Sequence, residues 1–207
     1  MLIFDLDGTL IDSNGLWVEV DRTFLNRRGA PYTREYYEGV AHTILPNCAK
    51  FTKEYLHLEE SCEEIIAEWM ELAADRYAHV PLKPHVREYL NRCREAGHAM
   101  AVFTACVPAH CEAAMAVHGL HTYFERVIYA QELGVDKRSP EIFRRVAADL
   151  GISPKSCVLF DDSLSACKAA KAAGMTVVGV HDGYFQEAAV DMREVCDQYI
   201  MGFGELL

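Results

Sequence analysis

The later part of the chain repeats one alternation, and that alternation restricts the fold more than any other feature. Apolar runs of strand type lie at 99–104, 126–130, 157–161 and 176–180, and segments of helical periodicity at 108–118, 140–150 and 164–173 fall between them. A similar run occupies residues 2–6, and a weaker one lies near 198–201. Strands separated by helices of this length pair in parallel through right-handed crossovers. Gly97, Gly119, Gly151 and Gly174 each follow a helical stretch, where glycine commonly closes the last turn. The predicted fold class is therefore α/β, a Rossmann-like doubly wound parallel sheet.

One stretch breaks the pattern. Residues 14 to about 80 contain no convincing strand, only helical patterns at 15–28, near 47–56 and at 61–79. The last opens with Ser61 and Glu64 at capping-box spacing, and Ile65, Ile66, Trp69, Met70, Leu72 and Ala73 fall broadly on one face. Pro81 and Pro84 punctuate the return to the alternating region. Such a stretch is too long for a plain crossover. The expected organisation is an α/β core of residues 1–13 and 81–207, with a small all-helical domain, 14–80, inserted after the first strand.

Composition narrows the partners. The 207 residues carry a net charge of −11, and acids outnumber bases in both the insert and the remainder. A phosphate backbone or an anionic lipid surface is a poor match for such a chain, so neither nucleic acid nor membrane is an expected partner. No apolar run approaches the roughly 18 residues that span a bilayer. No basic leader precedes Asp5, so the expected compartment is the cytoplasm; separately, a monomer is the expected state. The eight cysteines are scattered without Cys-x-x-Cys spacing and are expected to be reduced. Cys106, His110 and Cys111 form the one cluster of soft ligands, and are expected to flank a helix start rather than hold a metal.

Reactive groups gather at strand exits, where open parallel sheets bind ligands. The first strand ends in Asp5-Leu6-Asp7-Gly8-Thr9, the second in Thr104-Ala105, a later one in Asp161-Asp162, and Lys137 lies in the loop before a helix. Carboxylates drawn to one edge repel each other and gain nothing for folding unless a cation joins them. Hard oxygen donors with room for water and phosphate suit Mg²⁺. Lys137 adds positive charge and Thr104 a hydroxyl for a phosphoryl oxygen. A carboxylate can then attack phosphorus to form an aspartyl phosphate. Asp7, crowded by like charge, suits proton transfer to the leaving alcohol and from water.

Asp5-Leu6-Asp7-Gly8-Thr9-Leu10, Thr104, Lys137 and Asp161-Asp162 resemble the four ordered motifs of the haloacid dehalogenase superfamily, and the insert resembles its helical C1 cap. The likeness is to proteins of the phosphoglycolate phosphatase and β-phosphoglucomutase kind. It implies that Asp5 is the nucleophile and a metal ligand, and that Asp7 is the acid/base, its backbone carbonyl also facing the metal. Asp162 becomes the second side-chain ligand, with Asp161 ligating directly or through water. Thr104 and Lys137 hold the phosphoryl group together with backbone amides of Leu6, Asp7 and Ala105. Two departures stand out: Lys137-Arg138-Ser139-Pro140 replaces the usual Lys-Pro-x-Pro, which makes Arg138 a rival for the lysine role, and only four residues precede Asp5.

The expected activity is Mg²⁺-dependent hydrolysis of a small phosphorylated metabolite. The related mutases carry a histidine twelve residues after the nucleophile, where this chain has Trp17, which favours a phosphatase over a sugar phosphomutase. A phospho-accepting receiver, or a silent binding module, would fit the Asp, Thr and Lys set but not an Asp-x-Asp on the first strand followed by a large helical insert. Within the insert, His42, Asn47, Lys50 and Lys53 are polar groups that could reach a substrate, although a solvated position explains each more simply.

Overall fold

The structure, a computed structural model, describes residues 1–41, 43–134 and 136–207. Strands β1 (Leu2–Phe4), β2 (Met100–Thr104), β3 (Arg126–Tyr129), β4 (Val158–Asp161), β5 (Thr176–Val180) and β6 (Gln198–Ile200) form one sheet in the order β3-β2-β1-β4-β5-β6. Every neighbouring pair is parallel, with Phe4 opposite Val102 on one side and Phe160 on the other. The doubly wound sheet expected from the alternation is present, its strand ends within a residue or two of the sequence reading.

The first strand is the main exception. It stops at Phe4 instead of continuing to Leu6 because the chain there curls into a tight loop. The Leu6 carbonyl accepts the N–H groups of Leu10 and Ile11 at 2.9 and 3.0 Å. Gly8 adopts a φ of 77°, which a side chain would resist. A Cβ at Gly8 would also collide with Asn14 Nδ2 and Asp162 Oδ2, so the loop presses directly onto the end of β4.

The ten α-helices assigned among the described residues are α1 (Asn14–Arg27), α2 (Arg34–Val40), α3 (Leu45–Leu56), α4 (Cys62–Tyr77), α5 (Val86–Glu95), α6 (Pro108–His118), α7 (Ala130–Leu133), α8 (Pro140–Asp149), α9 (Leu164–Ala173) and α10 (Ala189–Val195). Strand side chains alternate between two apolar layers, as period-2 geometry requires. Phe4, Val102, Phe160 and Val178 face α5 and α6, whereas Ile3, Phe103, Leu159 and Val177 face α8 and α9.

Helices α1 to α4 all fall between β1 and β2 in the chain. Their buried side chains Phe24, Cys48, Ile65, Trp69 and Tyr77 extend the first of the two layers. The capping box at α4 is formed: Ser61 Oγ accepts from Glu64 N–H, and Glu64 accepts from Ser61 N–H. Helix α2 has no counterpart in the periodicity because its one buried residue is Tyr36; Thr33 caps it, accepting from Tyr36 N–H at 3.1 Å. The two segments that join this helical stretch to the sheet run side by side. Asp12 N–H donates to the Pro81 carbonyl at 2.9 Å, and Lys83 N–H to the Leu10 carbonyl at 3.0 Å. A narrow two-stranded neck therefore connects the helices to the sheet.

Candidate active site

A cleft opens between the carboxyl edge of the sheet and helices α1 to α4. The end of β1 brings Asp5 to it, the end of β2 brings Thr104 and Ala105, the end of β4 brings Asp161 and Asp162, and the loop before α8 brings Lys137. Residues far apart in sequence thus meet because each stands where a parallel strand, or the loop beside one, reaches the same edge.

Asp5, Asp161 and Asp162 are buried, and each offers an oxygen within 4.8 Å of the others. Lys137, 5% exposed, donates from Nζ to Asp5 Oδ1 and to Asp161 Oδ2, both at 2.7 Å, and to the Phe103 carbonyl at 3.3 Å. Asp162 accepts from Asn14 Nδ2 at 2.8 Å and from Thr9 Oγ1 at 3.3 Å. Asp161 accepts the Ser163 N–H at 2.9 Å, which ties the acid to the start of α9. One ammonium therefore bridges two of the three carboxylates, and the third is held by neutral donors.

The imbalance shows in their protonation. Burial, followed by the charges of Asp161 and Asp162, holds Asp5 well above the ordinary carboxylate range despite Lys137. Burial and Asp161 push Asp162 up to about 7. Burial opposes the charge on Lys137, but the carboxylates of Asp161 and Asp5 outweigh it and hold the ammonium above its usual value. A divalent cation bound to hard oxygen ligands would remove the excess negative charge, so the residues present fit such an ion.

Asp7 stands outside that cluster. Its Oδ1 accepts from Ser13 Oγ at 2.6 Å and from the Tyr77 hydroxyl, which in turn accepts from Trp17 Nε1 at 2.6 Å. Tyr77 lies flat against His110, with ring centroids 4.5 Å apart. Burial and the neighbouring Asp7 raise the Tyr77 phenol well above its usual value, so it remains a donor. Ser13 occupies the N-cap position of α1 but makes no cap hydrogen bond with its side chain. Its hydroxyl serves Asp7 instead.

Thr104 is fully buried, and its Oγ1 accepts from Cys106 N–H at 2.9 Å, which leaves its own proton to donate. Leu6 is part of the apolar layer, so only its backbone belongs to the loop. Lys137 rather than Arg138 enters the cleft; Arg138 is turned to the Ala41 carbonyl and Asp136. Cys106, His110 and Cys111 are buried, and the only group of potential metal ligands among the described residues is the aspartate trio.

Trp17 lines the cleft, but Asn47, Lys50 and Lys53 do not. Lys53 bonds the carbonyls of Glu59 and Glu60, Asn47 bonds Thr43, and Lys50 is exposed. His42 lies outside the described residues. Sequence reasoning gave no role to Thr9 of the first motif and missed Ser13, Asn14 and Tyr77, the residues that hold the acids in place. The one available signal was a serine and an asparagine at a helix start directly after the Asp-rich loop.

A parallel sheet that delivers this acidic trio, a lysine and a threonine to one edge is the framework of a known hydrolase class. The chain belongs to the haloacid dehalogenase-like hydrolase family, whose profile matches residues 2–180. It is 27% identical over 191 residues to hexitol phosphatase B of Escherichia coli K12, covering 86% of this chain and 82% of that one. It is 29% identical over 183 residues to fructose-1-phosphate phosphatase YqaB of the same organism, covering 86% and 95%. The fold is shared with a β-phosphoglucomutase from Clostridium difficile, at a TM-score of 0.83 and 18% identity over 100% of this chain and 92% of that one. The protein is an enzyme of the phosphoric monoester hydrolase type. Among the described residues no helix is long and apolar enough to cross a membrane.

Proposed function

We propose that the protein is a Mg²⁺-dependent phosphomonoesterase that releases phosphate from a small phosphorylated sugar or polyol through an aspartyl phosphate on Asp5. The observation that carries this reading is the trio of buried carboxylates gathered at one edge, only two of which pair with the ammonium of Lys137. Folding alone gives no reason to crowd them.

In this reading Asp5, Asp161 and Asp162, with the Asp7 carbonyl, hold Mg²⁺, which masks the charge of the phosphoryl oxygens when bound. Lys137, Thr104 and the backbone N–H groups of Leu6, Asp7 and Ala105 hold the phosphoryl group. The Asp5 carboxylate oxygen bonds to phosphorus as the bond from phosphorus to the ester oxygen breaks, and Asp7 gives that oxygen its proton. Asp7 then takes a proton from water as the water oxygen attacks phosphorus, which frees inorganic phosphate and restores Asp5. Ser13 and Tyr77 keep Asp7 oriented for both steps.

Residues 14–80 serve as a helical cap that shields the cleft, pivoting on the neck between residues 10–12 and 81–83. Phosphatase chemistry is favoured over phosphomutase chemistry by the charge of the cleft. A mutase must also hold a second phosphoryl group on the sugar, yet Lys137 is the only lysine or arginine among the described residues lining the cleft. The names of the two phosphatase relatives favour a carbohydrate leaving group. With all eight cysteines free, a cytoplasmic monomer is the setting we infer. The test is phosphate release from a broad panel of small phosphate esters with Mg²⁺ and with chelator. Turnover of sugar or polyol esters that stops in chelator is expected; no release from any ester would refute the reading.

A further inference from the structure

The loop that leaves β5 is rooted in the sheet but reaches across to the helical insert. At its root Asp182 is buried; its Oδ2 accepts from Lys83 Nζ at 2.7 Å and its Oδ1 from Tyr184 N–H at 2.9 Å. Lys83 Nζ also donates to the His181 carbonyl at 2.9 Å. An ion pair this enclosed fixes where the loop starts, because either charge left alone there would be costly. From that root the 3₁₀ turn Gly183–Ala188 meets the insert at three places among the described residues. A Cβ on Gly15 would fall 2.4 Å from the Tyr184 hydroxyl oxygen, so Tyr184 presses directly on the first turn of α1. Phe185 stacks on Tyr37 of α2, with ring centroids 5.1 Å apart and planes 24° from parallel. Glu187 faces Arg34 of α2 at 3.1 Å, an exposed pair that adds little.

Of the residues in these three contacts, only Phe185 and Tyr37 line the cleft. Both are half-buried, so neither ring is sealed from it. Strand β5 lies beside β4, whose exit carries Asp161 and Asp162, so the ring pair stands on the β5 side of the acidic trio. Burial, followed by the charge of Asp162, holds the Tyr37 phenol above its usual value, so the wall beside that acid is neutral. A phosphoryl group held at the trio leaves the rest of the ester in the space between the sheet edge and the insert. The Phe185–Tyr37 pair bounds that space. The facing sides of the two rings are spent on each other, which leaves no slot between them for a substrate ring. A leaving group wide enough to extend toward β5 must therefore part them.

We propose that Phe185 and Tyr37 form a size barrier, one half carried by the sheet and the other by the insert, that favours esters of compact alcohols over those of two-ring alcohols. The inference rests on the phosphatase reading above and adds an upper limit on the leaving group that is independent of its polarity. The experiment compares kcat/KM within two pairs of esters, sorbitol 6-phosphate against trehalose 6-phosphate and phenyl phosphate against 1-naphthyl phosphate. The proteins are the wild type, Phe185→Ala, Tyr37→Ala and the double variant, with Leu in place of Ala wherever Ala prevents folding. The wild type should favour the compact ester in both pairs. Each single variant should lower that preference about tenfold. The double variant should lower it no further than the stronger single one, because opening either half opens the barrier. Residues that only pack would lower the melting temperature and leave the preference unmoved. An unmoved preference, effects that add in full, or a wild type without the preference overturns the barrier while leaving the phosphatase reading intact. A wild type inert towards all four esters overturns that reading and the barrier with it.

Discussion

The two walls of the cleft are built by opposite rules. At the sheet edge each acid has a protein partner: Lys137 bridges Asp5 and Asp161, Asn14 and Thr9 hold Asp162, and Ser13 and Tyr77 hold Asp7. On the helical wall the half-buried Asp21 is bonded by no described residue, and the Trp69 N–H is enclosed without a partner. Groups that carry out chemistry gain from being fixed before substrate arrives, because reorganising them during the reaction would raise the barrier. The edge therefore carries the groups that the proposed chemistry needs, and the helical wall closes the cleft over them.

Removing the cation from the edge should have the largest effect on this contrast. In Lys137→Met, Asp5 and Asp161 stay buried without their ammonium, and a loss of about 3 kcal/mol of stability is expected, read by urea unfolding in chelator. Mg²⁺ should recover part of it, whereas Asp21→Asn should cost little. Equal losses for the two variants would erase the distinction between the walls.

A smaller effect is expected at the residue that joins the walls. Tyr77 stands on α4 yet donates to Asp7, so Tyr77→Phe removes the insert's hold on the residue proposed as acid/base. A fall in kcat of about tenfold with KM little changed is expected from steady-state kinetics. An effect confined to KM would assign Tyr77 to substrate binding instead.

The smallest expected effect is on pH-dependent stability. Asp162 is raised to about 7, so between the ordinary carboxylate value and 7 the folded protein keeps a proton that the unfolded chain has lost. That stability is present at low pH and is lost as pH rises through 7; Asp21, raised for the same reason of burial, acts in the same direction. In chelator, the melting temperature should fall by a few degrees between pH 5 and pH 8. Mg²⁺ should raise it more at pH 8 than at pH 5. A metal effect independent of pH would contradict the crowded-carboxylate account.

What the sequence reveals follows the same division. Strand periodicity fixes where strands end, and strand ends fix the edge, so Asp5, Thr104, Lys137, Asp161 and Asp162 are all legible in the residue pattern alone. Their supports are not. Ser13 reads as an ordinary helix cap, and Tyr77 reaches Asp7 across 70 residues of chain through packing that no local pattern encodes. The helical wall is harder still. Asp21 and Trp69 occupy positions that any amphipathic helix would have, whereas the more conspicuous Lys53 turns back to cap its own segment. Which face of each helix meets the cleft depends on how the four helices pack together.

The central claim is that the Asp5 carboxylate bonds to phosphorus, and the most direct measurement is the intact mass of protein quenched in acid during turnover with Mg²⁺. The account predicts a fraction heavier by one phosphoryl group, mapped to Asp5 after digestion, absent in chelator and absent in Asp5→Asn, whose turnover falls on the order of a thousandfold or more. Full phosphate release from Asp5→Asn, or a phosphoryl group carried on another residue, would contradict it.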